Sequence, residues 1–338
     1  MKSETLKRLF RSIQLRPTPD LVSIARGIVE DERKKGHLLL VMELEGLLNS
    51  AEQKQHAASR ENTSPTRRGP VVGQLSELPV SRRYQQPLLK EVPRLELRHH
   101  MILPEELEMR FSRVEREYVS RDRLAEYGLV PRRKILLYGA PGCGKSMGAE
   151  RLAWNIGLPF FKVQFDTLLS SYLGESANNL RSIFDATQQQ PCALLLDECD
   201  FIAKSRTYGQ DVGEMFRLVN MLLSLLEDYK APGLLIATTN LENSLDKALF
   251  RRFDEVLEIT RPGTPEIAQI LKNTLGALRL SKNLNINDFS QNLVGLSAAQ
   301  TVKVAQDAAK LCVMSLHPEV TLAHLEQAVS ELSTIENS

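Results

Sequence analysis

Much of what would place a 338-residue chain at once is missing from this one. It has four cysteines, Cys143, Cys192, Cys199 and Cys312, with no C-x-x-C pair and no metal-ligand spacing. That excludes a zinc-ribbon or disulfide-framework reading and points to a reducing compartment. Charge of either sign is not in excess: Lys and Arg number 43, Asp and Glu 42, and the formal net charge is +1. A nucleic-acid or anionic-membrane surface therefore has no electrostatic footprint here, and both partners are disfavoured. No uninterrupted apolar run approaches membrane-spanning length, and no apolar signal core follows the basic N-terminus, so the expectation is a cytoplasmic protein. No H-E-x-x-H is present, so any proteolysis would come from a separate partner.

What is present is ordinary globular material, 42% hydrophobic and 25% charged, with length enough for two or three domains and a large core. Residues 1–52 read as a small helical module: Leu21, Ile24, Ala25, Ile28 and Val29 share one helix face, and Leu6, Leu9, Phe10 and Ile13 another. "AEQKQHAASRENTSPTRRGP" is polar and nearly free of large apolar residues, so residues 53–94 are expected to be a flexible linker. From residue 95, "LPEELEMRFSRVEREYVSRDRLAEYG" is strongly charged and helical in pattern. Short runs then alternate between strand and helix. "KILLYG", "FFKVQF", "CALLLDE", "GLLIATTN" and "EVLEIT" read as strands; "GAERLAWNIG", "ANNLRSIFDAT" and "EMFRLVNMLLSLLEDY" read as helices. This predicts an α/β core with a parallel sheet over 95–262. Beyond Arg261-Pro262-Gly263 only helical patterns remain, with Ser297 and Thr321 at N-cap positions, so 263–338 is expected to be a separate helical subdomain.

The chemistry gathers at strand ends. "GAPGCGKS" fits G-x-x-x-x-G-K-[ST] and stands between a predicted strand and a predicted helix. Its glycines let successive backbone N–H groups curl round a phosphate, and the helix N-terminus adds its dipole. Gly139, Ala140, Pro141, Gly142, Cys143, Gly144, Lys145, Ser146 and Met147 are the candidate nucleotide-binding residues, with Lys145 for the β- and γ-phosphates and Ser146 for magnesium. "LLLDECD" supplies Asp197, a strand-end carboxylate for the same metal, directly or through water, and Glu198, placed as general base for water. Asn240 ends another apolar run and is a neutral group able to orient that water. Arg251 and Arg252 follow in "LFRRFDEVLEI", where they form a salt-bridged face or reach a neighbouring subunit's nucleotide as arginine fingers.

In that order, "ILLYGAPGCGKS", "YLGESANNLRSIFDAT", "LLLDECDFIAKSR", "LLIATTN" and "ALFRRFDEVLEI" resemble the motif series of an AAA ATPase of the AAA+ superfamily. The branch is the one holding katanin, the proteasomal ATPases and FtsH-type unfoldases, and the chain looks like a compact bacterial-type single-ring member. "GLSAAQTVKVAQDAAK" is similar to that family's lid helix. The resemblance implies a Rossmann-like P-loop core with a helical lid, ATP and Mg2+ as cofactors, and nucleotides at the subunit interfaces of a homo-oligomeric ring, usually of six. Three departures stand out. The usual R-P-G-R-F-D is shortened to Arg251-Arg252-Phe253-Asp254, so both arginines remain finger candidates. No V-G-G segment precedes the phosphate loop, and Met101 to Leu103 is the stand-in for adenine contact. Ala298 and Ala299 replace the Gly-Ala that usually opens the lid motif.

"SSYLGES" lies between the phosphate-loop helix and the acid pair. In ring unfoldases an aromatic–aliphatic–Gly loop at this position grips substrate in the central pore, and Tyr172, Leu173 and Gly174 resemble it. Packing of Tyr172 against the following helix is the alternative. The expected function is ATP-driven remodelling or unfolding of a protein or partner complex, recruited through the N-terminal module directly or by an adaptor. The alternatives are a nucleic-acid motor or loader, and an ATP-dependent switch acting with a separate effector such as a peptidase.

Overall fold

The apolar runs of the central region become strands, and the inner two, Ala193–Leu196 and Leu234–Thr239, are buried along their whole length. The structure, a computed structural model, describes residues 78–81, 85–169, 175–200, 212–240 and 250–336. The N-terminal helical pattern and Tyr172, Leu173 and Gly174 lie outside these residues. Strand β1 is Leu89–Val92, β2 Lys134–Tyr138, β3 Phe160–Val163, β4 Ala193–Leu196, β5 Leu234–Thr239 and β6 Glu255–Glu258. They form one six-stranded sheet in the order β1-β3-β4-β5-β2-β6. Every pairing is parallel except β1 with β3.

Successive residues of the inner strands feed opposite cores, as the period of two requires. Ile135, Leu137, Ala193, Leu195, Leu234 and Ile236 meet helices α1 (Glu105–Val119) and α3 (Lys145–Ile156), through Phe111, Val114, Leu152 and Ala153. Leu136, Leu194, Leu196, Leu235 and Ala237 meet helices α5 (Glu175–Gln189) and α6 (Val212–Asp228), through Leu180, Ile183, Phe184 and Leu222. The short helices α2 (Arg121–Glu126) and α4 (Phe165–Leu169) continue from α1 and β3. A third core holds together the C-terminal helices α7 (Thr264–Thr274), α8 (Ile286–Gln291), α9 (Ala298–Met314) and α10 (Leu322–Glu336). Among the described residues no helix is long and apolar enough to cross a membrane.

Two stretches differ from the sequence expectation. Leu89–Val92, inside the stretch expected to be linker, is the antiparallel edge strand, with Leu88 and Leu89 almost wholly buried. Lys90 and Glu91 are exposed because an edge strand has only one covering neighbour, which gives a mixed pattern that reads as linker. "FFKVQF" is strand only to Val163; Phe165 opens α4. The caps follow the sequence more closely. Gly157 closes α3 in the left-handed region at φ 80°. Ser297 and Gln300 form a capping box at the start of α9. At Thr321 the backbone N–H donates to His324 Nδ1 at 3.2 Å.

Helix α1 is tied to the far edge of the sheet by one buried carboxylate. Glu255 Oε1 accepts from Arg110 Nε and Nη2 at 2.9 and 2.6 Å. Its Oε2 meets Arg132 Nε at 2.9 Å and Arg113 Nη2 at 3.3 Å. The arginines keep part of their hydration, so the cluster is worth less than a fully buried one. Glu255→Ala is expected to destabilise the fold by about 2–3 kcal/mol, since Arg110 and Arg113 lose their carboxylate partner while Arg132 keeps Glu117. A urea-unfolding midpoint that stays at the wild-type value contradicts this.

Candidate functional site

The parallel strands β2, β4 and β5 all end at the same side of the sheet, the usual ligand crevice of an open α/β fold. The loop leaving β2 needs glycine for two distinct reasons. Gly139 has φ 137°, and a Cβ there would lie 2.3 Å from the carbonyl oxygen of Ile259. Gly142 has φ 76°, and its Cβ would meet the Ser297 hydroxyl of the helical subdomain at 2.7 Å. Backbone approach this close is possible only without side chains. Lys145 opens α3 and is buried, its ammonium donating to the carbonyls of Gly139 and Ala140, both at 2.8 Å. Burial pulls its pKa below the usual lysine range, against the opposing pull of Cys143, Asp200, Asp197 and Glu198.

Asp197, just past β4, is the most connected carboxylate of the site. Its Oδ1 accepts from Ser146 Oγ at 2.9 Å and Thr238 Oγ1 at 2.5 Å, and its Oδ2 from Lys162 Nζ at 2.6 Å. Burial alone would raise its pKa, but the hydrogen bonds from Lys162, Thr238 and Ser146 reverse this and hold it below the usual carboxylate value. The stability this group adds is therefore present above the unfolded carboxylate range and is lost as pH falls through its lowered folded value.

Glu198 is exposed and its backbone is left-handed, φ 56°, a strained setting for a non-glycine residue. Thr238 holds the strain in place: its hydroxyl accepts the Glu198 N–H at 2.9 Å, and its carbonyl accepts the Cys199 N–H at 2.8 Å. Asn240 is fixed by Asp200, whose Oδ1 accepts the Asn240 N–H at 2.9 Å and the Thr239 hydroxyl at 2.7 Å. Its Oδ2 accepts from Asn240 Nδ2 at 3.1 Å.

These groups face a cavity of about 670 Å3 whose walls include Pro141 to Met147, Asp197, Glu198, Thr238 and Asn240. The helical subdomain closes one side with Ile270, Asn273, Ala298, Ala299 and Val302. Ala299 N–H donates to the Gly142 carbonyl at 3.0 Å, so the alanine-bearing lid helix packs directly on the phosphate loop. Arg98, His100, Met101 and Ile102 line another wall. That strand of chain is clamped to α3: Arg98 donates to both oxygens of Glu150, from Nε at 3.0 Å and Nη2 at 2.5 Å. His99 stacks on Trp154 with centroids 4.1 Å apart, and the Arg94 guanidinium lies 4.7 Å from the same ring.

The residues fit a magnesium nucleotide. Ser146 and Asp197 bring together two hard oxygen donors at 2.9 Å, and the loop packs against the helical subdomain only because Gly142 lacks a Cβ. Among the sequence candidates, Pro141, Gly142, Cys143, Gly144, Lys145, Ser146, Met147, Asp197, Glu198 and Asn240 line the cavity; Gly139 and Ala140 support it through their carbonyls. Arg251 and Arg252 do not line it: Arg251 is exposed, and Arg252 Nη2 lies 3.3 Å from Glu227. Lys162, Thr238, Thr239 and Asp200 were not anticipated. Their only signals are the hydroxyl pair before Asn240, a third acid after Glu198 and a lysine inside an apolar strand. Gly144 to Gly148 also spells the serine-hydrolase string G-x-S-x-G, but the Ser146 hydroxyl donates to Asp197 rather than to a histidine.

The comparisons with known proteins agree with this site. Residues 135–261 match the family described as "ATPase family associated with various cellular activities (AAA)". The chain is 31% identical over 333 residues to "Uncharacterized AAA family ATPase y4kL" of Sinorhizobium fredii (strain NBRC 101917 / NGR234), covering 98% of this chain and 95% of the relative. The chain belongs to the AAA family of ATPases.

Thr238 joins Asp197 to Glu198, so Thr238→Val is expected to lower ATP turnover by about 10–100-fold, with Thr238→Ser retaining most of it. Phosphate-release assays on the two variants read this, and a fully active Thr238→Val enzyme contradicts it.

Proposed function

We propose that this protein hydrolyses ATP with magnesium and uses the turnover, as a ring of identical subunits, to remodel or unfold a protein substrate or partner complex. The observation that carries the reading is the convergence of Lys145, Ser146, Asp197, Glu198 and Asn240 on one cavity closed by the helical subdomain. Lys145 exchanges its two backbone carbonyls for the β- and γ-phosphates, and the loop N–H groups bind the remaining phosphate oxygens. Bound magnesium would neutralise charge on the transferring phosphoryl group. Glu198 accepts the proton of the attacking water, and Asn240, held by Asp200, orients that water.

Arg251 and Arg252 lie off their own chain's cavity, which supports action on a neighbouring subunit's nucleotide. Residues 1–52 would recruit the target directly or through an adaptor, and a separate peptidase or other effector is compatible with the absence of H-E-x-x-H. Tyr172, Leu173 and Gly174 carry the pore-loop reading on their resemblance alone.

Glu198→Gln tests the scheme as a whole. Hydrolysis is expected to fall about a hundredfold or more while ATP binding persists, since only proton transfer is removed. With ATP the variant should elute as a large species and retain its protein substrate, and Tyr172→Ala in that background should release the substrate. A variant that hydrolyses normally sinks the catalytic assignment. One that stays monomeric with ATP sinks the ring.

A further inference from the structure

Lys162 is, among the described residues, the cation bonded to Asp197, and the phosphate-loop chemistry does not call for it. It sits in β3 opposite Leu195 of β4 on one side and Lys90 of β1 on the other. Two lysines directly opposite each other on adjacent strands repel. The position would be unfavourable unless one ammonium were drawn elsewhere, and Lys162 reaches to Asp197 Oδ2, just past the end of the adjacent β4, at 2.6 Å. The reach follows from the pleat: Lys162, Leu195 and Asp197 stand on the same side of the sheet, two residues of β4 apart. Asp197 is nearly buried, with 9% of its side chain exposed, while Lys162 keeps 43% and so retains a path to solvent.

We propose that Lys162 is a positioning residue that holds Asp197 by Oδ2 and, by balancing its charge, sets the magnesium concentration at which the site loads nucleotide. The inference rests on the reading of Ser146 and Asp197 as the metal-binding pair. With Oδ2 held by Lys162, Oδ1 is left toward Ser146. The ammonium also lowers the net negative charge that the carboxylate presents to a second cation. The site therefore binds magnesium less tightly than its donor set alone would allow, and loading is poised to respond to metal concentration rather than saturated.

The test is binding of a fluorescent ADP analogue to the full chain, titrated with magnesium and read by anisotropy, with no turnover involved. Lys162→Met is expected to lower the half-saturating magnesium concentration about tenfold, because one unit charge is removed within a few ångströms of the metal donors. Lys162→Gln should do the same with a polar head group, and Lys162→Arg should keep the wild-type value. In an Asp197→Asn background Lys162→Met should shift nothing, since the coupling passes through that carboxylate. Thermal melts check that each variant is folded; Gln guards against a packing effect of Met. A half-saturating concentration that is unchanged in both Met and Gln variants, or that rises, overturns the proposal. Ser146→Ala separates this from failure of the underlying reading. If Ser146→Ala weakens the magnesium dependence and Lys162→Met does not move it, only the Lys162 role falls. If neither wild type nor Ser146→Ala shows magnesium dependence, the metal pair and the Lys162 role fall together.

Discussion

One carboxylate ties the separate parts of this site to each other. Asp197 takes hydrogen bonds from the phosphate-loop helix through Ser146, from the neighbouring strand on one side through Thr238, and from the neighbouring strand on the other through Lys162. Three sheet strands and a helix are thereby fixed relative to one point. A buried carboxylate is costly unless it is well paired, and this one is paired on both oxygens. Thr238 extends the constraint to Glu198, whose left-handed backbone is held by the same hydroxyl. Glu198 is thus aimed by the group that fixes Asp197, and the geometry of one cannot drift without the other.

The remaining walls depend on close backbone approach. The lid helix reaches the phosphate loop through Ala299 N–H and the Ser297 cap, which is possible only because Gly142 presents no side chain. On the other side, residues 94–102 are pinned to the phosphate-loop helix by Glu150 and Trp154. Both walls are therefore built on the same phosphate loop and helix. The phosphate loop is thereby in direct contact with the helical subdomain.

Sequence pattern disclosed the parallel strands because strands covered on both faces become unbroken apolar runs, as in "ALLL" and "LLIATT". It disclosed Asp197, Glu198 and Asn240 because a polar residue ending such a run marks a strand terminus. It did not disclose β1, whose exposed Lys90 and Glu91 imitate a linker, nor the end of β3 at Val163, where Phe165 continues the apolar pattern into a helix. Lys162 and Asp200 were hidden for a common reason. Each is a charged residue whose partner lies on a different strand, 35 and 40 positions away, and charge in sequence reads as solvent exposure until the register is known. The two arginines at 251 and 252 were visible as a pair, but neither lines the cavity, and Arg252 meets Glu227 instead.

The central claim is that the strand ends of a single chain assemble one magnesium-nucleotide site around Lys145 and Asp197. Calorimetric titration of ATP with magnesium into the wild-type protein and into Lys145→Ala tests it most directly. One nucleotide per wild-type chain is expected, with a loss of affinity of at least about a hundredfold in the variant, as follows when a buried charge-assisted contact to phosphate is removed. Equal affinity in the two proteins would contradict it.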